Sequence, residues 1–230
     1  MSLPKTVKWL AAMLALLLWL RLPLQTVMAQ APCRRHENSE RKIALTFDDG
    51  PHPTYTAEIL DILEEYGVKA TFFVIGSNCE AYPEELRRAI RDGHEIGNHT
   101  YSHPHLTKIQ EEKLTREVEK TESVLLELGD YRTRLFRPPE GVYSETVSKT
   151  VAAFGYIPIL WTVDTRDWRL PPAKEIAETV LSHTEPGVII LCHDYVSGKS
   201  KTPDALRIFI PELLRRGYVF VTVSELLESN

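Results

Sequence analysis

Apolar and polar positions along this chain switch repeatedly between two periods. Residues 43–47 form a short apolar run, suited to a strand buried on both faces. The stretch after it places Ile59, Ile62, Leu63 and Tyr66 at i, i+3, i+4 and i+7, which predicts an amphipathic helix. Residues 70–75, rich in aromatic and β-branched side chains, and 95–98 predict the next strands, with a helix over 83–91 between them that ends near Gly93. A long helix follows, with Leu114, Val118, Leu125 and Leu128 on one face and Glu and Lys elsewhere. Further strands are predicted at 135–136, 157–163, 187–192 and 218–223. The helices between them cover 145–154, 174–182 and a last one that buries Leu206, Phe209, Ile210, Leu213 and Leu214. Regular β/α alternation implies a parallel sheet, either open or closed into a barrel.

The first 40 residues break this rhythm. Lys5 and Lys8 precede an uncharged apolar run over 9–20, and Val27-Met28-Ala29 offers small residues for cleavage, so residues 1–29 read as a secretory signal. The run has 12 residues, short of the roughly 20 that cross a bilayer. Residues 22–29 continue it weakly past Arg21, so an uncleaved anchor is the alternative. Residues 30–40 form a polar linker, leaving 41–230 as one domain that works outside the cytoplasm. The net charge of −5, which falls to −8 without Lys5, Lys8 and Arg21, argues against nucleic acid as the main partner. In an oxidising compartment Cys33 and Cys79 are available to pair, leaving Cys192 single; three free thiols are the alternative.

Chemistry gathers at one topological position. Asp48 and Asp49 follow the first predicted strand, His99 the third, Arg137 the fourth, Asp164 the fifth and His193 the run at 187–192. In α/β barrels the loops after the strand C-termini build the active site. His99 and His103, four apart, are expected on one face of a helical turn, converging on a divalent cation. One carboxylate of Asp48-Asp49 would supply a third ligand and the other a general base, leaving coordination positions open for activating water. Arg137-Pro-Pro-Glu-Gly141 reads as a stiff loop whose Arg can orient a carboxylate. Asp164-Thr-Arg-Asp-Trp168 sets carboxylates beside an aromatic wall suited to sugar. Leu191-Cys-His193 ends a strand with a candidate general acid. His105 breaks the helical spacing after Pro104, and His36, His52, His94 and His183 have no comparable setting.

Together with Thr46-Phe-Asp-Asp-Gly50 and His99-Thr-Tyr-Ser-His103, these segments resemble, in order and spacing, the five motifs of the NodB-homology polysaccharide deacetylases, carbohydrate esterase family 4. The resemblance covers roughly residues 41–223. It implies a distorted (β/α)7 barrel and hydrolysis of N-acetyl groups from an amino-sugar polymer such as peptidoglycan or a chitooligosaccharide. It implies Asp49, His99 and His103 as metal ligands, commonly for zinc, with Asp48 as the base and Arg137 holding it. His193 would be the acid, with Asp164 as the carboxylate that tunes it. Trp168 and Leu191 would form the acetyl pocket. Glu140 stands where the family often has Tyr; its backbone N–H would still face the oxyanion, while its charge would alter substrate contacts.

Three other functions use some of these parts. A non-catalytic carbohydrate-binding protein would be expected to lack the base or the acid, yet Asp48 and His193 are present. An Fe(II) oxygenase also uses two His and a carboxylate, but needs no separate base and acid. An O-acetyl esterase acting on xylan could use the same machinery.

Overall fold

The structure is a computed structural model describing residues 31–36 and 40–228, so the expected signal segment lies outside the described residues. Its strands are β1 (Lys42–Asp48), β2 (Thr71–Val74), β3 (Glu95–Asn98), β4 (Leu135–Phe136), β5 (Ile157–Pro158), β6 (Val163–Asp164), β7 (Ile189–His193) and β8 (Val219–Val221). The helices are α1 (Tyr55–Tyr66), α2 (Gly76–Ala81), α3 (Pro83–Arg91), α4 (Glu111–Gly129), α5 (Glu145–Ala153), α6 (Ala173–His183), α7 (Thr202–Arg215) and α8 (Val223–Leu227). Every strand pair is parallel, in the order β5-β4-β3-β2-β1-β7-β6, with β8 beside the start of β1.

The run predicted as one strand over 157–163 explains how this sheet curls. Its first residues pair with β4, Ile157 opposite Leu135 and Pro158 opposite Phe136. Its last residue and the one after it pair with β7 at the other end of the strand order, Val163 opposite Ile190 and Asp164 opposite Leu191. One extended run therefore changes partner midway and joins the two sheet edges, giving a distorted (β/α)7 barrel in a single domain. A second segment laces the seam: Cys33 bridges Ile159 and Arg35 bridges Val188.

Strand parity sorts the side chains. Ile43, Leu45 and Phe47 of β1 face outward into the main core with Ile59, Ile62 and Leu63 of α1 and Phe209, Ile210 and Leu213 of α7. All nine are fully buried, each such side chain contributing about 1.5–3 kcal/mol. The alternate residues turn inward: Ala44, Phe73, Leu135 and Ile189 form a smaller cluster with Val223 and Leu226 of α8. α8 contacts β1, and its Val223 amide donates to Thr71 at the start of β2, so it plugs the end where strands begin. By the same parity Thr46, Asp48, Leu191 and His193 are directed inward near the opposite end.

Other departures from the predicted elements are local. α2 has only six residues and no marked apolar stripe. The last strand stops at Val221 because Thr222 and Glu225 form a capping box that starts α8. Leu214, expected in the core, is 37% exposed on α7. The three cysteines are unpaired: Cys33 lies on the seam, while Cys79 of α2 points into the core.

Candidate active site

Asp48 ends β1 pointing into the barrel and is almost fully buried. Its Oδ1 accepts from Arg137 Nη1 at 2.7 Å, and its Oδ2 lies 3.8 Å from His99 Nε2. Arg137 is itself fully buried. It donates also to the Thr46 hydroxyl and to the carbonyls of Ile159 and Leu160, and its guanidinium sits 4.0 Å from the Phe73 ring centroid. Gly97 makes room for that ring, since a Cβ there would fall 2.4 Å from it.

Asp49 leaves strand geometry at φ +77°, so its carboxylate departs from the β1 alternation and lies beside the histidines. The Asn78 side chain donates to its carbonyl at 2.7 Å, fixing the turn. The histidine loop is not helical, contrary to the expectation from i, i+4 spacing. Thr100 (φ +70°) and His103 (φ +50°) fold it back instead. Gly76 and Ser77 amides donate to the Thr100 and Tyr101 carbonyls, and the Glu117 carboxylate accepts from the Tyr101 and Ser102 amides. Tertiary bonds thus supply the convergence that a helix was expected to give. His99 Nδ1 donates to the Arg137 carbonyl at 2.7 Å, which leaves Nε2 as the free lone pair. The Nε2 atoms of His99 and His103 each lie 3.4 Å from Asp49 Oδ1, a buried oxygen with no hydrogen-bond partner. An orphaned carboxylate oxygen beside two imidazoles, with ligand atoms within 4.8 Å of one another, fits a divalent cation.

The other wall carries the acid. His193 Nδ1 lies 2.7 Å from Asp167 Oδ1, its amide donates to Asp167 Oδ2, and the Thr202 hydroxyl donates to the same oxygen. The carboxylate against His193 is therefore that of Asp167, correcting the assignment to Asp164. Asp164 Oδ1 instead accepts the Arg166 amide at 2.9 Å, closing the turn that brings Asp167 inward. Burial opposes a charge on His193, but the hydrogen bond and charge of Asp167, with Asp48 and Asp49 further off, outweigh it and raise its pKa to about 9.

Nine of the ten residues named from sequence line one cavity of about 440 Å³, and Arg137 lies beneath it. Trp168 and Leu191 form walls, and Glu140, at φ +57°, sits at the rim with its carboxylate 3.0 Å from His105 Nδ1. Trp161 is the lining residue that sequence reasoning missed, hidden inside an apolar strand run. Asp194 was missed too: fully buried beside Gly50, it accepts from the Thr56 hydroxyl, and burial pushes its carboxyl up to about 7.

A curled parallel barrel with an Asp-His-His group, a buried carboxylate and a His–Asp pair around one cavity has the parts of a metal-assisted hydrolase. Residues 35–159 match the polysaccharide deacetylase family model. The chain is 42% identical over 192 residues to a peptidoglycan-N-acetylglucosamine deacetylase of Bacillus cereus, covering 83% of this chain and 90% of that one. It is 38% identical over 188 residues to a chitooligosaccharide deacetylase of Sinorhizobium fredii, covering 77% and 87%. A crystal structure of the Bc1960 peptidoglycan N-acetylglucosamine deacetylase superposes with a TM-score of 0.84 at 37% identity, covering 90% of this chain and 98% of that one. The chain belongs to the NodB-homology polysaccharide deacetylases, carbohydrate esterase family 4, a family of metal-dependent enzymes.

Proposed function

We propose that this polysaccharide deacetylase removes N-acetyl groups from N-acetylglucosamine residues of peptidoglycan, outside the cytoplasm. One observation carries the catalytic part: a carboxylate clamped by a buried Arg, and an imidazole clamped by a buried Asp, line the same cavity as the Asp49/His99/His103 group. The similarity to the Bacillus cereus deacetylase supports the substrate, and the charged-then-apolar layout of residues 1–29 supports export.

A divalent cation, zinc in this proposal, would be held by Asp49, His99 and His103 and would supply Lewis acidity toward the acetyl oxygen and a lowered pKa for water. Asp48, aimed by Arg137, takes the proton of the water that attacks the acetyl carbonyl carbon. His193, protonated through Asp167, gives its proton to the nitrogen as the C–N bond breaks. Acetate and a free glucosamine amine result. Trp168 and Leu191 enclose the methyl group and exclude bulk water.

Acetate release from peptidoglycan and from N-acetylated chitooligosaccharides, with zinc supplied, tests the assignment. Release from peptidoglycan supports it. Release only from acetylated xylan would move the activity to O-acetyl esters, and none from any glycan with metal bound would overturn it.

A further inference from the structure

Exposed aromatic surface continues beyond the cavity. Of the seven large hydrophobic side chains exposed among the described residues, Trp168, Leu170 and Tyr195 all belong to the loops after β6 and β7, at the end of the barrel that holds the cavity. Bonds and contacts join them to the loop after β1. Leu170 Cδ1 lies 2.8 Å from where a Cβ on Gly198 would stand. The Gly198 carbonyl accepts the Tyr55 hydroxyl at 3.0 Å, and the same hydroxyl accepts the Ser200 amide. Tyr55 stacks on His52 at 4.7 Å between centroids, and His52 meets Tyr195 edge-on at 5.0 Å and Tyr82 at 6.3 Å.

This cluster is held in place. His52 Nδ1 accepts the Thr54 and Tyr55 amides, which fixes the ring and its tautomer and leaves Nε2 bearing the proton. β7, which ends in His193, lies between β6, whose loop carries Trp168, and β1, whose loop carries His52. Tyr195 is two residues beyond His193, so its Cα is within ~7 Å of the acid's.

We propose that exposed Tyr195, backed by His52 and Tyr82, forms a carbohydrate-stacking subsite for a sugar residue of the same glycan adjoining the one that reacts. The inference rests on the deacetylase reading for the identity of that glycan. The chemistry of the patch selects its occupant. The exposed Tyr195 ring suits the C–H face of a pyranose, and its hydroxyl suits a sugar hydroxyl. A lipid surface would favour a broad aliphatic patch, whereas the aliphatic contribution here is Leu170. A net charge of −5 disfavours a nucleic acid base on the same rings.

The test compares N-acetylglucosamine oligomers of two and six residues with wild type, Tyr195→Ala and Tyr195→Phe. The ratio of kcat/KM for the hexamer to that for the dimer should fall about tenfold in Tyr195→Ala, through KM, and hold in Tyr195→Phe, which keeps the ring. An equal loss at both lengths, or no loss at the hexamer, overturns the subsite. Calorimetric binding of the hexamer, in the Asp48→Asn background with and without Tyr195→Ala, reads the subsite without turnover. Failure of wild type to release acetate would fall on the deacetylase reading, while weaker hexamer binding in the Tyr195→Ala background would still support the subsite and unchanged binding would overturn it.

Discussion

The two walls of the cavity are built on opposite principles. On the acid side, Asp167 has both carboxylate oxygens engaged, by the His193 ring, the His193 amide and the Thr202 hydroxyl, and β7 itself delivers the imidazole. On the other side, Asp49, Thr100 and His103 all take positive φ, and the Asp49 Oδ1 they surround has no partner. A closed network holds one proton donor in one state. An open group held in strained backbone is preorganised for something that has yet to arrive.

Removing a ligand breaks the contrast most completely. His99→Ala should abolish both zinc binding, read by calorimetry, and acetate release; retention of tight zinc binding would show that the open wall is not the metal group. Asp48→Asn should keep zinc binding while kcat falls about a thousandfold, within the range for a general base. If most activity survived, the base would lie elsewhere.

Asp167→Asn tests the closed wall. His193 has its pKa raised to about 9, so its acid form persists through neutrality and is lost as pH rises through that value. Without the Asp167 charge, burial should take the pKa to the ordinary 6.5 or below. Activity at pH 8 should then fall roughly thirtyfold, with the alkaline limb of the pH–rate profile displaced downward. The same shift carries a stability consequence. In wild type the His193–Asp167 contribution is fully present below about 6.5 and fades as pH climbs toward 9.

Glu140→Gln should do least. Its pair with His105 is exposed, His105 at 86% and Glu140 at 47%, so thermal stability should change by less than about 1 kcal/mol. KM for acetylated oligomers should move by less than about fivefold, and a collapse of kcat would show that the charge acts on the reaction itself.

The same contrast governs what the sequence could reveal. Strand parity is local, so the run at 187–192 announced an inward His193. The meeting of His99 and His103 was also visible in their spacing, but for a reason that does not hold. No helical turn is present, and the loop is shaped by bonds to α2 and Glu117, more than ten residues away on either side. Choosing between Asp164 and Asp167 required the Asp164–Arg166 turn, because both carboxylates sit in one short loop. Trp161 was invisible for another cause: an aromatic inside an apolar strand run looks the same whether it faces the core or the cavity.

The run that joins the two sheet edges also bounds the cavity, since it contains Trp161 and Asp164. It works like the buckle of a hoop, so the width of the site and the closure of the ring are one adjustment rather than two. Loosening at the Cys33–Ile159 contact would then be felt as a shift of the Trp161 wall, and amide exchange across 159–162 would gauge how far the mouth can breathe.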